Sequence, residues 1–297
     1  MFRAAYSLQL ARQFASEAIM KKHVFTLICI AIMLFATNGY CGDVFLLALS
    51  GDIVEYNADS GEMKTLIRNV NEYYSSVCYD KQSNTLYFST QLAIYSKYLG
   101  LPDSPINKTF DGKYPSVSPG GRFISFYRRF NEINIYDTIS KKTVYVGADA
   151  KTIPAVWISD TKLMYITEYK QVRVIDAVSN KISGSWPDGV YPIALSPDGK
   201  AVLCVTDNFS SILLYKTDGN YVDTIKKPGF FFKTSERLVW SSSGRSFIYV
   251  RRRNTFSLSI SDSPYDLYMF NIDTRKEKRV MSKVVLWGGV CIDSNDK

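Results

Sequence analysis

The sequence predicts an all-β protein: a six-bladed β-propeller of four-stranded blades, closed by a composite blade from both termini. Three observations carry that expectation. A turn motif recurs about every 40 residues, period-two strands follow each copy of it, and two incomplete units at the chain ends complement each other.

The turn motif is plainest in ALSPDGKAVL (194–203), where Ser-Pro-Asp-Gly lies between two apolar runs. Proline presets one backbone dihedral and glycine tolerates positive φ, so these residues close a tight turn. VCYDKQSNTLYFS, SVSPGGRFISFY, VWISDTKLMYIT, VWSSSGRSFIYV and VCIDSNDK align beneath it. Their turn entrances, Asp80, Ser118, Ser159, Ser196, Ser241 and Asp293, are 38, 41, 37, 45 and 52 residues apart. Five or seven blades are the alternatives to six.

Two further strands follow each turn. They read LAIYSKYL and PINKTF in the second unit, EINIYDT and KTVYVG in the third, and QVRVIDA and KISGSW in the fourth. SILLYKT with YVDTIK, and DLYMFNIDT with KEKRVM, complete the fifth and sixth. Alternating Tyr, Val and Ile between polar turns indicates strands rather than helices. DVFLLAL, DIVEYNA and EMKTLI open the first unit without an innermost strand, and LWGGVCID supplies one at the other end. Joining them hides two sheet edges that would otherwise be exposed.

Residues 42–297 are therefore expected to be the propeller. From Met20, MKKHVFTLICIAIMLFATNGYCGD has two lysines, an apolar run from Val24 to Phe35, then small and polar residues. This is the order of a secretory signal, and twelve apolar residues are too few for a stable span. Residues 20–41 are expected to be that signal, with cleavage after Gly39 or Cys41, and 1–19 a mis-annotated or disordered extension. The expected location is periplasmic or secreted. Without residues 1–39 the chain has 32 basic and 27 acidic residues, a charge of +5. That suits acidic partners, but the longest basic run is Arg251 to Arg253, too short for a nucleic-acid footprint.

YPSVSPGGRFISF and VYPIALSPDGKAVL, each followed by a strand ending in Tyr-Asp-Thr or Tyr-Lys-Thr, resemble the propeller repeats of the TolB family. VRVIDAVSNKISGSWPDGVYPIALSPDGKAVLCVT also resembles the YVTN repeat of exported propellers. The separate α/β domain that precedes the TolB propeller has no counterpart here. What the resemblance implies is docking to an envelope protein.

The single histidine, His23, lies in the signal-like segment, so the remainder holds no Ser-His-Asp triad, Cys-His pair or histidine ligand. Asp80, Asp137, Asp160, Asp198, Asp218 and Asp273 sit in turns, where backbone hydrogen bonds account for them. The chain is read as non-catalytic, with no cofactor and no metal. An even set of cysteines outside the signal's apolar run (Cys41, Cys78, Cys204, Cys291) invites a disulfide in an exported protein. Cys41, Cys78 and Cys291 are the candidates, with small buried side chains as the alternative role.

In such a ring the second-to-third strand loops and the links between blades share one face. That loop face collects Arg128, Arg129, Arg251, Arg252 and Arg253 from the first class. From the second it collects Tyr73, Tyr74, Lys113, Tyr114, Lys151, Tyr191, Phe231, Phe232 and Trp287. Aromatic rings beside cations suit acidic peptides or glycans, while packing between blades explains the same rings without a ligand. The three consecutive arginines are expected to be solvated and to steer an acidic partner. The expected function is a protein- or peptide-binding module of the envelope or cell exterior. The alternatives are a propeller enzyme acting on a carbohydrate or lactone, and a structural subunit of an envelope assembly.

Overall fold

The computed structural model describes residues 44–49, 52–57, 60–68, 76–90, 92–129, 131–151, 154–208, 210–226, 234–241, 243–252, 265–284 and 290–292. All 24 elements among them are strands. The first three are β1 (Val44–Leu49), β2 (Asp52–Asn57) and β3 (Met63–Ile67). Blade two is β4 (Ser76–Asp80), β5 (Thr85–Ser89), β6 (Ala93–Tyr98) and β7 (Ile106–Asp111). Blade three is β8 (Lys113–Val117), β9 (Phe123–Tyr127), β10 (Ile133–Asp137) and β11 (Lys142–Gly147). Blade four is β12 (Val156–Trp157), β13 (Lys162–Ile166), β14 (Val172–Asp176) and β15 (Lys181–Ser185). Blade five is β16 (Val190–Leu195), β17 (Ala201–Thr206), β18 (Ile212–Lys216) and β19 (Tyr221–Lys226). Blade six is β20 (Thr234–Trp240), β21 (Ser246–Arg252), β22 (Tyr265–Asn271) and β23 (Glu277–Val284), followed by β24 (Val290–Ile292).

Blades two to six are antiparallel sheets of four consecutive strands, the architecture of a β-propeller. A further sheet has the order β24-β1-β2-β3, with Phe45, Leu46 and Leu47 opposite Ile292, Cys291 and Val290. Strand β24 also lies beside β4 and β20, the innermost strands of blades two and six.

The turn entrances follow from local hydrogen bonding. Ser118 Oγ accepts the Phe123 amide at 3.1 Å, Ser196 Oγ that of Ala201 at 2.9 Å, and Ser241 Oγ that of Ser246 at 3.1 Å. Each buried serine thus satisfies the first amide of the next strand, which explains why Ser recurs there. The third-to-fourth turns use Asx geometry instead. Asn57, Asp137, Asp176 and Asn271 each accept an amide two or three residues on, at 2.8–3.0 Å. Four residues after each comes positive φ: Gly61 at 73°, Lys141 at 58°, Asn180 at 53° and Arg275 at 56°.

Neighbouring blades are joined by indoles that each reach a carbonyl one repeat back. Trp157 Nε1 donates to the Ser116 carbonyl at 2.9 Å, and Trp240 Nε1 to the Ala194 carbonyl at 3.1 Å. Both acceptors lie in inner strands whose register shifts around a Tyr-Pro pair, Tyr114–Pro115 and Tyr191–Pro192. Proline has no amide to offer the ladder, so the strand bulges there. The outer edges are protected in the same way, since the third and fourth strands of every sheet are paired with a register shift.

The cores lie between adjacent sheets. The largest joins blades four to six and includes Met164, Trp186, Tyr191, Cys204, Trp240 and Phe247. Cys204 is fully buried, and burial pushes its thiol up out of the reactive range. Cys41 and the side chain of Cys291 lie outside what is described.

Candidate functional site

The loop face is built from the second-to-third strand hairpins and the links between blades. Its backbone is held by bonds between the two sets: Gly112 N donates to Leu92 O at 2.9 Å, Glu168 N to Asp149 O at 2.7 Å, and Asp207 N to Gly189 O at 3.0 Å. Gly112 has φ 149°, and a Cβ there would meet the Tyr127 carbonyl at 2.6 Å, so this crossing requires glycine.

Four of the sequence-predicted residues lie in innermost strands or the link that leads into one. Tyr114 adopts φ 55°, unusual for a bulky residue. Its amide donates to Ser89 Oγ at 3.2 Å, its ring meets Tyr127 edge-on, and the Lys113 ammonium lies 5.6 Å from its centroid. Desolvation lowers the Lys113 pKa. Lys151 Nζ lies 5.0 Å from the centroid of Tyr191. Tyr191 itself is fully buried, and its hydroxyl donates to Asp207 Oδ1 at 2.5 Å. Burial, then that carboxylate, raises its phenol pKa. The ring expected to meet a ligand is therefore a core side chain, in one cluster with Met164 of blade four and Cys204 of blade five.

Arg251 is also placed differently from expectation. Its guanidinium lies 4.0 Å from the Tyr268 ring centroid, donates to the Tyr268 hydroxyl at 2.7 Å, and pairs with Glu277 at 3.1 Å. Glu277 in turn accepts from the buried Tyr249 hydroxyl. Arg251 thus lies along blade six and is part of its packing. Arg129 is exposed and pairs with Glu132 at 3.5 Å, whereas Arg128 is exposed with no ion pair among the described residues. Tyr73, Tyr74, Phe231, Phe232, Arg253 and Trp287 lie outside the described residues, as does the side chain of Arg252.

A feature not anticipated from sequence is the hairpin of blade four. Lys170 pairs with Asp207 of blade five at 2.7 Å, and Arg173 with Asp149 of the preceding link at 2.8 Å. Arg173 is also hydrogen-bonded to Tyr165, which raises its pKa. Lys170, then Tyr191, holds the Asp207 carboxyl below its ordinary range. Between these anchors Lys170 N donates to Thr167 O at 2.9 Å, with Lys170 at φ 66°, and Tyr169 stands at the apex, 79% exposed. The signal was present in the sequence: the three consecutive hairpins 128–132, 167–171 and 207–211 each carry an aromatic, Phe130, Tyr169 and Phe209. Phe130 and Phe209 lie outside the described residues. Among the described residues no three His, Cys, Asp or Glu side chains are grouped to hold a metal ion.

These features define a β-propeller whose loop face is built from hairpins and inter-blade links bonded to one another. No protein-family model matches the chain, and no curated protein matches it. Solved structures do. A chain of a nidogen/laminin complex is similar at TM-score 0.63 and 8% identity, over 84% of this chain and 98% of that one. TolB from Acinetobacter baumannii gives 0.60 at 16% identity, over 84% of this chain and 64% of its own. A putative TolB from Agrobacterium tumefaciens gives 0.58 at 13%, over 84% and 93%. The fold is thus that of a TolB-like β-propeller, and at these identities the likeness extends to the fold alone.

Proposed function

We propose that this protein is an exported, non-catalytic six-bladed propeller whose loop face binds an acidic segment of another protein. The observation that carries the reading is Tyr169, held out into solvent at the apex of a hairpin tied on both flanks by ion pairs. An aromatic fixed before binding loses little entropy on contact, which makes it a good anchor. Exposed Arg128 on the neighbouring hairpin adds a cation for an acidic partner. The pairing of β24 with β1, and its position beside β4 and β20, supports closure into six blades by the two ends. Export is supported by the signal-like run that begins at Met20, and a periplasmic or secreted location follows from it. One structural neighbour is a chain from a complex between two proteins.

The test is affinity capture from an intact envelope fraction, with the parent and the variants Tyr169→Ala and Arg128→Ser. A partner should be held by the parent, lost at least about tenfold with Tyr169→Ala, and captured more slowly at low salt with Arg128→Ser. Equal capture by all three proteins would remove the loop face from consideration.

A further inference from the structure

We propose that the third-to-fourth strand turns of blades three and four attach the protein to an anionic lipid surface. These turns lie on the face opposite the loop face, so the inference goes beyond the reading above. At their apices stand Ile139, 72% exposed, and Val178, 63% exposed. Ile182, 60% exposed, follows on the outer strand of blade four.

The turn itself does not require these side chains. Its geometry is fixed by Asp137 and Asp176, whose carboxylates accept the backbone amides of Ile139 and of Val178 and Ser179. Only an amide is needed two residues after the Asx, and the corresponding residues after Asn57 and Asn271 are the acids Asp59 and Asp273. Blades three and four, whose innermost strands are neighbours, place β-branched apolar groups there instead.

Charge points to the occupant. Lys141, Lys142 and Lys181 flank the two apices and make no ion pair among the described residues. The nearby acids are engaged: Asp137 is paired with Arg122 at 2.9 Å, and Asp176 accepts from the turn amides and the Ser179 hydroxyl. Arg122, then the turn amides, holds the Asp137 carboxyl well below the usual carboxylate range. At the two apices themselves what remains is cationic and apolar, while the exposed Asp160 lies in the inner turn of blade four, beside Gly120. The shape is convex, two hairpin tips rather than a groove. A lipid interface yields around such projecting groups, and its anionic headgroups meet the lysines.

The experiment is site-resolved hydrogen–deuterium exchange on the full chain. It is run with vesicles of phosphatidylcholine alone and of phosphatidylcholine mixed with phosphatidylglycerol. Amides of residues 138–142 and 177–181 should exchange more slowly on the anionic vesicles and be unchanged on the neutral ones. In Lys142→Ser/Lys181→Ser the lipid concentration giving half protection should rise by about fivefold per lysine removed. Ile139→Ser/Val178→Ser should lose the protection at an unchanged melting temperature. Protection absent on both vesicles, equal on both, or undiminished in these variants would overturn the proposal. So would protection of these amides by extract protein with none on vesicles, which would assign the apices to a protein partner. The loop-face reading is decided separately, by Tyr169 and Arg128.

Discussion

The two faces of the propeller use their cations differently. On the loop face Arg129, Lys170, Arg173 and Arg251 are each paired with an acid, and Arg251 is stacked on Tyr268 as well. On the turn face, at blades three and four, Lys141, Lys142 and Lys181 have no ion pair among the described residues, while the acids beside them serve the turns. The difference teaches that a count of basic residues does not measure available charge. Lys170 is neutralised by an acid of the next blade, Arg173 by one of the preceding link, and Arg129 and Arg251 within their own blades, whereas exposed lysines beside turns whose acids bond the backbone have water as their neighbour.

The same contrast holds for aromatic groups. Tyr191 and Tyr169 lie on the same side of the fold, yet one is fully buried and the other points outward. Replacing Tyr191 with alanine should therefore destabilise the protein by about 3–5 kcal/mol, the range for removing a large core aromatic. Tyr169→Ala should stay within about 0.5 kcal/mol of the parent. Urea unfolding of the two variants checks the pair. Equal stability losses would mean that Tyr191 does not occupy the core.

A smaller effect distinguishes the arginines. Arg251→Ser removes a guanidinium packed on Tyr268 together with its ion pair to Glu277, so a loss of about 1.5–3 kcal/mol is expected. Arg128→Ser should change stability by less than about 0.5 kcal/mol. Thermal melts at matched pH and salt provide the measurement. If Arg251→Ser melts like the parent, the steering role expected from the sequence returns.

The smallest effect is at the turn face. Lys141 holds φ 58° where the equivalent turn has Gly61. Lys141→Gly should relieve left-handed strain of about 1–2 kcal/mol, less the roughly 0.5–1 kcal/mol that glycine loses in chain entropy. A net gain of up to about 1.5 kcal/mol is expected, read as a higher urea midpoint at unchanged slope. A loss would show that the Lys141 side chain makes a folded-state contact and is not available to a lipid surface.

Much of the fold is legible in the chain. Ser118, Ser196 and Ser241 each bond an amide five residues away, and Asp137 and Asp176 bond amides two or three residues away. Interactions that close within one turn leave a local pattern, and the pattern repeats because the blades do. The candidate site is less legible. The repeat places Lys113, Tyr114, Lys151 and Arg128 on the loop face, but it offers Tyr191 and Arg251 as ligand contacts although both serve the packing. Tyr169 is marked only by the aromatic that its hairpin shares with the hairpins on either side, and nothing singles out Lys170, Arg173, Asp149 or Asp207.

Sequence by itself determined the strands, the turns and the period, because these rest on alternation, proline, glycine and Asx chemistry within a few residues. Only the tertiary structure decided which side chains are satisfied across blades. Lys170 meets Asp207 across 37 residues, and the Trp157 and Trp240 indoles meet their carbonyls across 41 and 46. Those separations are close to the repeat itself, so each partner sits one blade away, where no local pattern records it and packing alone brings the groups within hydrogen-bond distance.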